Sequence, residues 1–598
     1  MQINRSSLLL LVLLFSVNVF GQPDQDAQKE RQARLNAILE ESLADVQGLK
    51  LPENRAFFYC RIGNLIWPQD QKRGRSLFMN AAAELANAQT WAESKRSINP
   101  YNELLTGGNT RQQILNLIAS RDAELALDLL VRTRPAAIAR AIASGSDKST
   151  RINHAQQNDL HLAQNETYME QNFYRLAAEQ SPERAVKLLK ESLSKGFSHE
   201  TFQQLSRLAE KDTSAAGEMA AEVVAKLLRA SYMSDEQPLY INIQLSQSIL
   251  SHHISRQNGD GTKLKFSEAQ MRDLAAKFIS AYVSDQRTAP YIGPSVLQVA
   301  EKLQPSSVEQ IKKLINRMNG QNGTQPDLDA AYQKLMAPDT PIEQLLNNAE
   351  KFPTGFRRNI YQTASNKLMG EGNWQAAREV LDENFGGVDR EQMLANFDQS
   401  LAYNLIGQSK FTEAEQVIDR LPDQQRMSLL IYLSSNVYSR DPKENKAYAT
   451  ALLGKARQIT NETPENSNEM GLLMQLIGGY SNIDAAEAIR LYEGVVPKII
   501  ELTDASAVIN GFQVNSNVRE GEFVMTQGDP FHQYGGNLSM IGAFSRFDID
   551  RTTKLIDSFN RQDMRLSLRV QLLEGSEIAN AGSVNVARSS YPMSKGRR

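Results

Sequence analysis

The stretch LAYNLIGQSKFTEAEQVIDRLP, Leu401 to Pro422, decides the fold. Leu401, Ala402, Leu405 and Ile406 recur at helical spacing; Phe411, Ala414, Val417, Ile418 and Leu421 do so again before Pro422 ends the pattern. Gly407, Gln408 and Ser409 leave room only for a tight turn, so the two amphipathic helices must fold back as antiparallel neighbours. Ala402 and Ala414 are small where the helices cross, and larger side chains there would push them apart. A hairpin of this kind buries one face only and needs copies of itself on either side.

Copies are present. In MGEGNWQAAREVL, Gly372, Trp374, Ala377 and Leu381 stand at the mutual offsets of Ser409, Phe411, Ala414 and Ile418, and the preceding helix supplies Tyr361, Ala364 and Leu368. A further copy is expected around Ala447, ahead of Leu452 and Leu453, which spaces the anchor alanines by 37 residues (414 − 377) and then 33 (447 − 414). This period predicts an all-α chain, an α-solenoid of stacked antiparallel helical hairpins.

Over about residues 354 to 458 the chain resembles the tetratricopeptide superfamily, in which a Gly, an aromatic three residues before an Ala and a large apolar residue four after it mark the turn and second helix. Gly372 to Leu381 and Phe411 to Ile418 keep that half. The family's first-helix Trp and Gly are replaced by Tyr361 and Ser365 in one repeat and by Asp398 and Ala402 in the next. The resemblance implies binding of a peptide or protein on the face lined by the first helices, here Asn359, Gln362, Asn366, Asn396, Gln399 and Tyr403. Asn366 and Asn396 match asparagines that grip extended peptides in the family, since an amide donates and accepts at once. Gln362 stands where members that hold a terminal carboxylate carry Lys, which points to an internal or uncharged segment.

The 598 residues are 41% hydrophobic and 23% charged, ordinary for a soluble protein with a large core. Lys and Arg number 66 against 69 Asp and Glu, interspersed, which argues against a nucleic-acid or anionic-membrane partner. At the N-terminus Arg5 precedes the apolar run Leu8 to Phe15, with Val19 and Gly21 as small residues before a cut ahead of Gln22. Residues 1–21 therefore read as a signal peptide, and the mature chain as exported to the periplasm or outside the cell without a transmembrane anchor. Cys60 is the single cysteine, which excludes an intrachain disulfide, and its apolar helical setting predicts burial.

Early hairpins are expected along the chain. RGRSLF at Arg73 to Phe78 echoes AAREVL, with Gly74 in the place of Ala377, and Asp122 is the expected cap between Arg111–Ser120 and Ala123–Val131. Ser144 to Asn165 reads as a loop, and NGDGTK, Asn258 to Lys263, as the break between an N-terminal array, 22–257, and a C-terminal array, 264–580. Residues 503–537 read as an irregular insertion with a strand pair, if any, near Phe523 to Thr526. Residues 581–598 read as a flexible tail.

No chemistry-bearing motif emerges. HExxH, GxSxG, the P-loop and GxGxxG are absent, and the six histidines form no ligand set. His252 and His253 read as surface residues. Asn258, Asp260, Gly261 and Glu268 imitate a calcium loop with the final Glu one residue late. Ser192 with Lys195 forms an SxxK of the kind that arises by chance on helices. The sequence thus predicts no metal, no cofactor and no catalytic activity, and favours an exported scaffold that binds a protein or peptide. A glycan-active enzyme on an α/α toroid and a structural component of envelope assembly without a discrete ligand remain as alternatives. The scarcity of Trp (Trp67, Trp91, Trp374), each within an apolar helical pattern, weighs against the first.

Overall fold

In the computed structural model, residues 25–94, 100–144, 154–232, 240–257, 263–284, 289–320, 326–512, 517–525 and 539–576 are described. Residues 1–21, expected as a signal peptide, and 581–598, expected as a tail, lie outside them, as does most of the expected calcium-like loop, residues 258–262.

The hairpin that opens the sequence reading is made by its turn. Helix Gly387–Gly407 stops at Ser409, which adopts φ 61°, and helix Phe411–Ile418 begins directly afterwards. The preceding hairpin, Thr354–Gly370 with Trp374–Asn384, turns at Gly372 with φ 79°. Both turns use the same pair of backbone bonds. Gly372 N donates to Met369 O and Asn373 N to Leu368 O, while Ser409 N donates to Ile406 O and Lys410 N to Leu405 O. This is a Schellman closure, in which a left-handed residue lets two terminal carbonyls find donors.

Across each turn the helices touch through small residues. Ala377, Ala402 and Ala414 are fully buried, and Ser365 Oγ donates to Ala377 O at 2.9 Å. The next hairpin, Asp423–Arg440 with Lys446–Ile459, repeats that bond from Ser434 Oγ to Ala449 O at 2.7 Å. The anchor is therefore Ala449, 35 residues after Ala414 (449 − 414), and not Ala447, which is exposed. Sequence spacing misplaces it because this turn is longer: Asp441 Oδ1 accepts from the N–H groups of Lys443 and Glu444 and holds residues 441–445 out of helix.

Stacked antiparallel hairpins make up almost all of the described structure, so the fold is an all-α helical-repeat solenoid. Its contacts separate into two compact units, one formed by Met1–Thr110 with Ala402–Arg598 and the other by Arg111–Leu401. This division differs from the arrays 22–257 and 264–580 read from the sequence. Gln257 and Lys263, on either side of the expected break, both belong to the second unit.

In the first unit the first and last described helices pack on each other. Helix Gln25–Gly48 lies against Gln562–Gly575, which also meets Pro52–Ile66. Arg569 reaches Asp45 at 2.7 Å and Asp557 at 2.8 Å, and Arg61 holds Glu574 in a two-pronged ion pair. Gly63 and Gly74 let Pro52–Ile66 and Gln71–Ser94 cross closely: a Cβ on Gly74 would come 3.0 Å from Gly63 O. Gly74 thus does what Ala377 does later.

The region read as an irregular insertion is partly regular. Helix Ala485–Gly511 runs through Pro497 and covers residues 503–511, where Thr503 Oγ1 bonds Ile499 O and Asn510 bonds Ser506 O. Strands Val518–Arg519 and Glu522–Phe523 then pair antiparallel, upstream of the expected position. Their two-residue turn has φ 49° at Glu520 and 80° at Gly521, the geometry that suits the twist of a tight hairpin.

In the second unit, Arg111, Glu166 and Arg134 form a buried ion network. Arg111 grips both oxygens of Glu166 at 2.8 and 2.9 Å, and Arg134 bonds Glu166 at 2.8 Å and Glu170 at 3.2 Å. The Asp122 cap forms as expected, accepting from Leu125 N at 2.9 Å. Two expectations fail here. Residues 154–165 are the start of helix His154–Gln180 rather than loop, because nothing in that polar stretch breaks a helix. His252 and His253 are not surface residues: helix Tyr240–Gln257 is packed by neighbours on both sides, so His252 sits edge-on to Phe202 and Phe266 while His253 is buried with Nε2 3.3 Å from Glu268.

Candidate functional site

The leading helix of each repeat hairpin carries the candidate face, and its two parts belong to different units. In the second unit, Asn359, Gln362 and Asn366 sit on Thr354–Gly370, and Asn396 and Gln399 on Gly387–Gly407. Asn359, Gln362, Asn366 and Asn396 are exposed and Gln399 is half-buried. The opposite faces of these helices fix that orientation. Ile360, Tyr361, Ala364 and Ser365 are buried, Tyr361 donating to Glu350 at 2.9 Å, and Asp398 is buried 3.5 Å from Arg378. Among the described residues none of the five amides spends a side-chain donor or acceptor internally.

In the first unit, Tyr403 stands 46% exposed with its ring edge-on to Tyr432, 45% exposed, at a centroid separation of 5.2 Å. Tyr432 lies on the leading helix Asp423–Arg440. One turn earlier, Ser428 Oγ bonds Gln475 on the next leading helix, Ser467–Ile483, at 3.2 Å. Three successive leading helices are thereby joined side by side. Gly479 permits the close fit, since a Cβ there would come 2.9 Å from Leu453 and 3.0 Å from Ile431.

Sequence reasoning missed Tyr432, Ser428 and Gln475. With Ala447 as anchor the register of that hairpin is two residues out, and its leading face cannot be read. A usable signal was present in the absence of any charged residue from Met427 to Ser439 and from Met470 to Ile483.

Charge is concentrated on the trailing helices. Glu415 accepts from Tyr448 at 2.7 Å and pairs with Lys455 at 2.6 Å. Burial by itself would raise the Glu415 carboxyl, but these two donors outweigh it and hold the group below the usual carboxylate range; Lys455 is raised in return. Glu487 is held low in the same sense, first by Arg490 and then by Arg457. Burial pushes the Cys60 thiol well above its ordinary value, so it has little thiolate to react. A cleft of about 570 Å³ beside Pro497 is lined by Val496, Ile500 and Leu555 and flanked by the Glu493–Arg551 ion pair. Among the described residues no cluster of His, Cys, Asp and Glu is arranged to hold a metal, and no helix is long and apolar enough to cross a membrane.

Comparison with known proteins adds little. No protein-family description matches the chain, and no curated protein does. Among solved structures it is matched to a "Circular tandem repeat protein with novel repeat topology and enhanced subunit contact surfaces", 11% identical over 92% of this chain and 98% of that one. At a TM-score of 0.11 that likeness establishes no shared architecture.

Proposed function

We propose that the protein is an exported helical-repeat scaffold without catalytic activity of its own, which binds a protein or peptide on the leading faces of its hairpins. The observation that carries this reading is the row of uncommitted amides on Asn359, Gln362, Asn366, Asn396 and Gln399. An amide that is solvent-facing and internally unpaired can bond both the N–H and the C=O of an extended chain without desolvating a charge. The tetratricopeptide resemblance of residues 354–458 supports the same assignment, with Tyr403 at the corresponding place in the first unit. Gln362 in place of a Lys favours an internal or uncharged segment over a free carboxylate.

Partners captured from the envelope fraction of the source cell, then cut into synthetic peptides, provide the ligand for the test. Asn366→Ala with Asn396→Ala should weaken the best peptide about tenfold, the loss of roughly two hydrogen bonds, with helicity unchanged by circular dichroism. An unchanged affinity would remove these residues from the site. Export is tested separately. The secreted protein should begin at Gln22 by mass spectrometry, free or as pyroglutamate, and retention of Met1 on exported material would end the localisation proposal.

A further inference from the structure

The cleft beside Pro497 lies in the first unit, between two helix faces that are pinned together at both ends. On Ala485–Gly511 it is lined by Glu493, Val496, Pro497 and Ile500. On Ile549–Asp557 and the residue that ends it, the lining is Arg551, Lys554, Leu555 and Ser558. Both sets recur at i, i+3, i+4 and i+7, so each is one face of its helix. At one end Glu493 and Arg551 form a two-pronged ion pair at 2.7 and 2.6 Å; past the other end Asn560 bonds Asp504 at 3.2 Å. The pins stand 11 residues apart on the first helix (504 − 493), which is about 16 Å. Between them about 570 Å³ is open above Val496, Pro497, Ile500 and Leu555.

Among the described residues three ionic side chains line this cleft, and two of them are spent on each other. Arg551 holds the Glu493 carboxyl below the usual carboxylate range and is itself raised, so the pair stays ionised and adds no net charge. Lys554 is the third. The carboxylates one turn away on its own helix are committed elsewhere, Asp550 to Arg34 at 3.2 Å and Asp557 to Arg569 at 2.8 Å. Lys554 therefore has neither an ion pair nor a hydrogen bond among the described residues. Ser558 Oγ donates to Leu555 O at 2.6 Å and has no hydrogen left for a ligand. What remains is an apolar floor with one unspent positive charge beside it.

These features discriminate among ligands. A helix from a partner would occupy about 1,200 Å³ over the length between the pins, roughly twice the opening, and could only rest on its rim. An extended peptide would bring an N–H and a C=O at every residue and find a single free polar side chain to meet them. A polyanion such as a nucleotide would find one cation where it needs several. A cationic amphiphile would face Lys554 with no free carboxylate in the lining. An uncharged apolar molecule would cover the floor but leave the ammonium unpaired at its edge, whereas one anionic group gives that charge a partner and fixes the orientation of the whole. We propose that the cleft binds a small amphipathic anion, its slim apolar chain over Val496, Pro497, Ile500 and Leu555 and its single carboxylate or similar head on Lys554. This is a small-molecule site, independent of the amide face proposed for peptides.

Isothermal titration calorimetry of the full chain with decanoate, below the concentration at which it forms micelles, tests the site. Saturable binding of one equivalent is expected, tighter than that of decanol or decyltrimethylammonium. Hexanoate should bind about tenfold or more weakly, because four methylenes leave the floor. Lys554→Glu should weaken decanoate about tenfold and strengthen decyltrimethylammonium by a similar factor. Lys554 is exposed, so this reversal leaves the packing alone. Ile500→Gln should weaken both head groups alike, with a melting curve to verify that the fold survives; if it does not, the charge reversal decides. No saturable binding, equal affinity for the three head groups, affinity indifferent to Lys554→Glu or to a folded Ile500→Gln, or binding of phosphatidylglycerol vesicles in place of monomeric decanoate would each overturn the proposal.

Discussion

Ser409 carries a backbone cost that Gly372 avoids, because a side chain at φ near 60° brings Cβ close to the following carbonyl. The turn keeps it because the hydroxyl accepts from Arg440, which ties one hairpin to the next. Sequence offsets equated the two positions correctly without revealing why a serine could stand for a glycine. The anchor alanines show where offsets fail. Ala377 and Ala414 follow turns of one kind and are legible, whereas Asp441 gathers two N–H groups into a longer turn and moves the third anchor to Ala449. Ala449→Leu should therefore cost about 1–3 kcal/mol by overpacking a closed helix crossing, while Ala447→Leu on the exposed side should change stability by no more than about 0.5 kcal/mol. Denaturant titration of the two variants measures this, and equal behaviour would refute the register.

At the scale of elements, the hairpin Val518–Phe523 holds the entry to a helix that lies far from it in sequence. Helix Pro52–Ile66 begins at Leu51, which offers no side-chain cap, and just ahead of it the Glu522 carboxylate accepts from Lys50 N at 2.6 Å and Leu51 N at 3.1 Å, fixing the entry of the chain into the helix. Asn54 completes the join like a strand partner, donating to Phe523 O at 2.7 Å and accepting from Met525 N at 3.0 Å. On the other side Phe523 N donates to Asp563, and Arg561 lies over the Phe523 ring at 4.8 Å. Glu522→Ala would strand two N–H groups just ahead of a helix, with an expected loss of about 1–3 kcal/mol. A melting curve indistinguishable from that of the original chain would show that solvent replaces the carboxylate. None of this was readable in the sequence. A Glu-Gly turn between the pairs Val518–Arg519 and Glu522–Phe523, each half charged, is a weak strand signal, and a carboxylate more than four hundred residues away leaves no local pattern. Helices announce themselves through periodicity within a turn or two, so nearly all of them were legible.

For the whole molecule, the consequence is that sequence distance and cooperative grouping diverge. The N-terminal helices are stabilised by the C-terminal ones through Arg569 with Asp45 and Asp557, Arg61 with Glu574, and the Glu522 contacts, all within one unit, while Arg111–Leu401 forms its own core. Repeat arrays ordinarily lose stability from their ends, where a terminal hairpin has one neighbour instead of two. Here the first and last described helices are each other's neighbours, so neither should open alone. Arg569→Ala removes a cation only 13% exposed and leaves Asp45 and Asp557 without it. Hydrogen exchange followed by mass spectrometry should then show protection falling by about tenfold in helices Gln25–Gly48 and Gln562–Gly575 together, with peptides from 111–401 unchanged. Faster exchange confined to Gln562–Gly575 would mean that the N-terminal helices hold without their distant partner. The units would then be grouped by proximity and not by shared stability.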